Sequence, residues 1–359
     1  MRKNILILLL VIVVVMILMI LGSGGSVNGE SGGGSVVGKV SNTFGSSLGR
    51  DIDGDGDNDS GVILSNIVGG GNDYGNSIAI DGSGRIYVTG SSRNVNGNDD
   101  AYVIRLNVDG SMDSSFGIRG KVILKDIAGN GYWDYGYSLS IDGNEKVYVT
   151  GQSGNDAYVI RLNKDGSMDS GFGSNLGRDI NGDGNTNDYG VILNNIAGGG
   201  CDWRDYGYSI VIDRSGKVYV TGDSYNGSNS DAYVIRLNED GSMDGSFGSG
   251  GKVILSSIAG GNGVDYGSSV AIDGNGKVYV TGFSSNGSND DAFVIRLNSD
   301  GSVDSGFGSG GKVVLHNITG GNGRDICNSM VIDVNGKVYI TGYSDNISSN
   351  ADAYVIKIE

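Results

Sequence analysis

Proline is absent from this 359-residue chain, histidine occurs once, and tryptophan and cysteine occur twice each. Without proline or a strict Gly-X-Y period no collagen triple helix forms, although 67 residues are glycine. Basic residues are also scarce: 25 Lys and Arg stand against 41 Asp and Glu, a net charge of −16. A chain of that sign repels phosphate backbones, which argues against nucleic acid as a partner. Beyond the N-terminus no stretch carries an apolar stripe of helical period, so strands must build the core. Catalytic signatures are equally thin. Neither HExxH nor CxxC occurs, and glycine-rich pieces such as GGGNDYG match no phosphate loop. The single His316 follows a KVVL strand without a recurring partner and reads as a surface residue. Cys201 and Cys327 fall two repeats apart, poorly placed for a disulfide.

What the chain does have begins with Arg2 and Lys3, followed by an unbroken apolar run of 17 residues from Ile5 to Leu21. Residues 1–21 are therefore expected to be a signal peptide or an N-terminal membrane anchor, the length lying between the two. The basic pair keeps that end in the cytoplasm and sends the remainder across the membrane, giving a secreted or cell-surface protein that meets lipid only through this segment. Residues 22–35 form a Gly/Ser linker.

From residue 36 to 359 one unit recurs, read most clearly as YGNSIAIDGSGRIYVTG, DAYVIRLNVDGSMDSSFG and GKVIL. Its marker Asp falls at Asp81, Asp142, Asp213, Asp273 and Asp333, defining units of about 62–121, 122–190, 191–252, 253–312 and 313–359. Each unit holds up to four short runs rich in Val, Ile and Tyr, separated by Gly/Asn/Asp/Ser turns. The pattern predicts an all-β fold, a five-bladed β-propeller of four-stranded blades. The fifth unit reaches Glu359 after three strands, while Val40 to Gly45 aligns with Met112 to Gly117 and Val62 to Leu64 with Val122 to Leu124. Val62 to Leu64 is thus expected to pair with Ala353 to Ile358 and close the ring.

The segments DYGYSIVIDRSGKVYVTG and DAYVIRLN resemble the bacterial SBBP-type propeller repeat, and LNEDGSMDGSFGSGGKV resembles the delta-sixty repeat. The resemblance implies a propeller on bacterial or archaeal surface proteins, with no chemistry established for the family. The SBBP name implies seven blades; this chain supplies five units.

If SIAID lies innermost, the loops entering it and those between RIYVTG and AYVIRLN share one face, called the top, and the Asp-Gly hairpins share the other. The recurring Arg105, Arg161, Arg236, Arg296 and Lys357 are expected to pair with a neighbouring Asp, taken to be the one preceding their strand. Phe116, Phe172, Phe247 and Phe307 are expected between blades. Two acidic insertions read as the first half of a calcium loop: Asp51, Asp53, Asp55, Asp57 and Asp59 in DIDGDGDND, and Asp179, Asn181, Asp183, Asn187 and Asp188 in DINGDGNTND. Both are placed on the bottom face. Position 12 is Val62 in one and Gly190 in the other, so a bidentate carboxylate is missing and Asp57, Asp59, Asn187 or Asp188 must substitute. On the top face, Tyr132, Trp133, Trp203 and Arg204 interrupt the loop entering the inner strand in consecutive units, which suits stacking on a sugar ring or a protein contact. The composition fits a non-enzymatic binding or adhesion module for glycan or surface protein, with a structural spacer or a propeller glycosidase or lyase as alternatives.

Overall fold

The structure, a computed structural model, describes residues 40–41, 43–53, 58–129, 131–200 and 204–359. The segment expected to be a signal peptide or anchor and the Gly/Ser linker lie outside the described residues. No helix of the described residues is long and apolar enough to cross a membrane.

The described residues form successive antiparallel sheets. The first contains Asp73–Ile80, Ile86–Arg93, Asp99–Leu106 and Lys121–Leu124, hydrogen-bonded in chain order. The second contains Asp134–Ile141, Val147–Ser153, Asp156–Leu162 and Tyr189–Leu193, with a two-residue strand, Ser174–Asn175, added at its outer edge. Asp205–Ile212, Val218–Tyr225, Ser230–Leu237 and Lys252–Leu255 make the third, and Asp265–Ile272, Val278–Ser285, Asp290–Leu297 and Lys312–Leu315 the fourth. The fifth has three strands, Asp325–Ile332, Val338–Asp345 and Ala351–Ile358. The first strands of successive sheets lie against one another, so SIAID and its equivalents are innermost.

Sheets stack face to face through apolar seams. Between the first and second, Tyr87, Ala101, Val103, Phe116 and Leu124 meet Leu139, Val147, Val149, Tyr158 and Ile160. Every third strand alternates, Val103 facing forward into that seam and Tyr102, Ile104 and Leu106 facing back. Because both faces are covered, all eight residues of Asp99–Leu106 are buried. The recurring phenylalanines sit in the seams, each edge-on to the tyrosine of its own second strand, Phe116 to Tyr87 at 5.8 Å and Phe172 to Tyr148 at 5.6 Å.

Two glycine positions are fixed by close approach. A Cβ on Gly151 would stand 1.7 Å from the Tyr135 carbonyl oxygen, and Gly90, Gly222, Gly282 and Gly342 are constrained in the same way. Gly166, at φ +85°, would push a Cβ to 2.6 Å from the Gly117 nitrogen, where the connection of one sheet docks on the hairpin of the next.

The buried arginines find other partners than the acids preceding their strands. Arg105 reaches Asp113 (Nε to Oδ2 2.7 Å), Arg161 reaches Asp169 (2.6 Å), Arg236 reaches Asp244 (2.9 Å) and Arg296 reaches Asp304 (2.8 Å), each eight residues downstream. The chain folds back after the strand, so that Asp113 N donates to Arg105 O (2.9 Å) and the side chains meet. Each guanidinium also covers a phenylalanine ring at 4.8 Å. Arg105, Arg161 and Arg236 donate further to Lys164 O, Glu239 O and Ser299 O, fastening one sheet to the turn of the next. Lys357 pairs with Glu359 instead.

The expected pairing of Val62 to Leu64 with Ala353 to Ile358 is not formed. Ala351–Ile358 bonds to Val338–Asp345 and leaves its other edge uncovered, while Val62 and Leu64 pack with Phe44 against Tyr102, Ile104 and Leu106 of the first sheet. Gly45 N donates to Asp109 O (2.7 Å), as Gly117 N does to Asp165 O (2.7 Å), so the segment docks on the following hairpin as the other connections do, but without the third-strand partner that Val122 to Leu124 has in Ala101 to Val103.

Candidate functional site

Each acidic insertion is the tip of a small hairpin. Ser46–Ser47 pairs with Ser60–Gly61 below the first, and Ser174–Asn175 with Tyr189–Gly190 below the second. In both, a buried aspartate closes the loop. Asp59 accepts from Ile52 N (2.5 Å) and Asp53 N (3.3 Å), and Asp188 accepts from Ile180 N (2.6 Å) and Asn181 N (3.1 Å). In the first loop Asp51, Asp53 and Asp59 bring carboxylate oxygens within 4.8 Å of one another, a donor set suited to a hard cation. Asp55 and Asp57 lie outside the described residues. In the second loop the polar groups turn on the loop itself. Asp179 accepts from Gly182 N (2.7 Å) and Gly184 N (3.1 Å), Asp183 Oδ2 accepts from Asn181 Nδ2 (3.1 Å), and Asn187 Oδ1 accepts from Asn175 Nδ2 (3.0 Å).

The second loop is also not confined to the bottom face. Ile180 is fully buried among Leu124, Ile127 and Leu176, Lys125 N donates to Ile180 O (3.0 Å), and Arg178 Nη1 donates to Ile127 O (2.8 Å). These contacts place its tip at the top end of the first sheet, because Leu124 pairs with Ala101 at the end away from the Asp-Gly hairpin.

On the top face, Tyr132 and Trp133 are 65% and 51% exposed immediately before the inner strand Asp134–Ile141. The loop is held by Gly154 N donating to Trp133 O (3.0 Å) and by Asn98 Nδ2 donating to Gly131 O (3.1 Å). Arg204 is exposed at the same place in the next sheet, its Nη1 donating to Tyr206 OH (3.2 Å). Trp203 and Cys201 lie outside the described residues, and Cys327 is a buried free thiol that burial pushes up to about 11. The Asn-rich loops beside this face are mostly turned inward. Asn229 Nδ2 donates to Asn262 O (2.7 Å), tying its loop to the next, and Asn226 Nδ2 donates to Asp231 (2.9 Å) within the same loop.

Behind the exposed aromatics runs a feature that sequence reasoning missed. Tyr135 stacks on Tyr137 (5.9 Å, 9°), Tyr137 meets Tyr208 (5.5 Å), and Tyr208 stacks on Tyr206 (5.6 Å, 7°), linking the second and third sheets. Tyr137 donates to Gln152 Oε1 (3.0 Å) and Tyr135 to Asp99 Oδ2 (3.1 Å). Asp223, 1% exposed beside this stack, keeps Oδ1 without a hydrogen-bond partner, and burial pushes its carboxyl up to about 7. A usable signal existed. Tyr137 and Tyr208 occupy the residue skipped by the β-bulge of each inner strand, where the other units have Asn76, Ser268 and Asn328; Asp223 replaces Ser91, Gln152, Phe283 and Tyr343.

The marker aspartates serve their own turns. Asp81 Oδ1 accepts from Ser83 N (2.8 Å) and Arg85 N (3.0 Å), and Asp142, Asp213, Asp273 and Asp333 repeat the arrangement.

Residues 82–116, 144–172, 214–247 and 274–307 match the β-propeller domain of unknown function DUF5122, and residues 65–97 match the SBBP β-propeller repeat. The chain is a β-propeller repeat protein carrying repeats of these two families. No curated protein sequence matches it. Among solved structures it is similar to virginiamycin B lyase from Staphylococcus aureus, at 12% identity, 77% of this chain, 68% of that one and a TM-score of 0.41. A gluconolactonase from Xanthomonas campestris gives 12%, 75%, 69% and 0.39.

Proposed function

We propose that this chain is an exported, non-enzymatic binding module, a propeller-type array of five blades that engages glycan or surface protein through the top face of its second and third sheets. The observation that carries this reading is the outward-facing pair Tyr132 and Trp133, backed by the Tyr135, Tyr137, Tyr208 and Tyr206 stack. A rigid aromatic surface offers stacking area at low entropic cost, which suits a sugar ring or a protein hot spot. The turn-bound marker aspartates support a binding role over a glycosidase role, because their carboxylates are already engaged by backbone N–H groups. Calcium is assigned to Asp51, Asp53 and Asp59, where three carboxylates converge; it would supply charge neutralisation and stiffen the hairpin. Val62 to Leu64 supplies the outer strand that the fifth sheet lacks.

A glycan array probed with and without calcium tests the reading. Trp133→Ala should weaken any ligand found by about 1 to 3 kcal/mol with the fold intact. Full binding by that variant would remove the site from this face, and an array without any bound glycan or protein would favour a spacer.

A further inference from the structure

Among the described residues the five sheets share four apolar seams, and every seam has the same two sides. The earlier sheet contributes the tyrosine of its second strand, the alanine and valine of its third and the phenylalanine of its connection, as in Tyr148, Ala157, Val159 and Phe172. The following sheet answers with its inner faces, as in Ile210, Val218, Val220, Tyr233 and Ile235. A fifth seam is half built. Behind the first sheet, Phe44, Val62 and Leu64 take the places of Phe116, Val122 and Leu124, but no tyrosine, alanine and valine of an earlier sheet accompany them.

Their counterparts on the fifth sheet are half-buried Tyr339 and exposed Ala353 and Val355. Val355 is 75% exposed, whereas Val103, Val159, Val234 and Val294 are all 0%. The first sheet shows the matching exposure at Ile80, 45% accessible, and Ile63 of the segment standing on it is 67% accessible. The hairpin tips agree. Ile180 is 0% exposed where its hairpin rests on the preceding sheet; Ile52, its counterpart in the first hairpin, is 56% exposed. Each half of the fifth seam is therefore made of the same residues that bury each other four times within the chain.

We propose that a second copy of this chain completes the seam. The hairpin carrying Val62 to Leu64, standing on the first sheet of one molecule, adds as the fourth strand to Ala351–Ile358 of the next. The register follows the first sheet, where Leu124, Ile123 and Val122 oppose Ala101, Tyr102 and Val103. Leu64 then opposes Ala353, Ile63 opposes Tyr354 and Val62 opposes Val355. Ile52 comes to rest near Ile318, as Ile180 rests on Ile127. The contact is head-to-tail and repeats from copy to copy. It rests on the reading that Val62 to Leu64 is the outer strand of the fifth sheet, and adds that its acceptor is another molecule: in the structure the donor is held on the first sheet while the acceptor edge stands bare.

Sedimentation of the full chain in detergent over a concentration series tests it. The wild-type mass should rise above that of one chain. Val355→Lys removes the acceptor face, and Ile52→Lys with Ile80→Lys removes the donor face; these side chains are exposed in the isolated chain, so each variant should fold and stay a monomer. Mixing the two variants leaves one intact contact per pair and should give two-chain complexes and nothing larger. A wild type that stays monomeric at every concentration overturns the proposal. In that event, loss of thermal stability in Val355→Lys would mean that the same strand closes within one chain, and unchanged stability would also remove the outer-strand reading. Neither result bears on the glycan array.

Discussion

Replacing Asp223 by asparagine isolates the cost of a buried charge beside the Tyr206 and Tyr208 stack of the third sheet. The side chain is 1% exposed, one carboxylate oxygen has no hydrogen-bond partner, and burial raises its pKa from an ordinary 3.8 to about 7. Ser230 and Tyr208 work against the rise, as does Arg204, while Asp205 adds to it. An acid whose folded pKa is raised favours the folded state fully below its unfolded pKa, and that advantage is lost as pH climbs to the folded value. At about 1.4 kcal/mol per unit, the charge costs about 2 kcal/mol at pH 5 and about 4 kcal/mol at pH 8. Asparagine keeps the shape without the charge. Urea unfolding of both proteins at the two pH values should therefore show a gain from Asp223→Asn that is about 2 kcal/mol larger at pH 8. The comparison cancels Asp134 and Asp156, which burial raises to about 6 in both proteins. A gain that is the same at pH 5 and pH 8 would refute the reasoning, since it would mean that Asp223 is as fully ionised in the folded as in the unfolded state across that range and has no raised pKa.

Arg161→Ala should cost about 1.5 to 3 kcal/mol, measured by urea unfolding, because it removes one of the two cations on Asp169, Lys146 keeping the other, and takes a charged donor from the Glu239 carbonyl. Gly151→Ala should prevent native packing of the second sheet, read as loss of cooperative unfolding, since the new Cβ meets a backbone carbonyl at 1.7 Å. Millimolar calcium should raise the melting temperature, and Asp51→Asn with Asp53→Asn should abolish the rise while Asp179→Asn leaves it, because three carboxylates converge in the first loop alone among the described residues.

Much of the fold was legible because repetition converts weak signals into strong ones. Short Val/Ile/Tyr runs are ambiguous singly, but the same run at Asp99–Leu106, Asp156–Leu162, Ser230–Leu237 and Asp290–Leu297 fixes strand order and alternation. The arginine partner was misplaced for a different reason. Choosing the acid before the strand treats sequence neighbours as spatial ones, whereas the bridge between Leu106 and Met112 folds the connection back and presents Asp113 to Arg105. The constant eight-residue spacing from each Arg to an Asp carried that information.

The candidate site was harder to see, because repeats mask function where they succeed as architecture. Residues identical in all units build seams and turns; a particular surface arises only where units differ. Trp133 drew notice through its rarity, but Tyr137, Tyr208 and Asp223 are common residue types whose significance lies in their position. Tyr137 and Tyr208 sit on the bulge of the inner strand, where a side chain escapes the alternation and reaches the neighbouring sheet. The same logic explains the misread closure. Alignment identifies Val62 to Leu64 as a fourth strand, since its residues match those of the other fourth strands. It carries no information about which third strand receives it, because all acceptors share an Ala-Tyr/Phe-Val-Ile core and another copy's acceptor is identical. That choice is made by geometry between distant elements, by whether four similar seams bring the last sheet round to the first or carry it past.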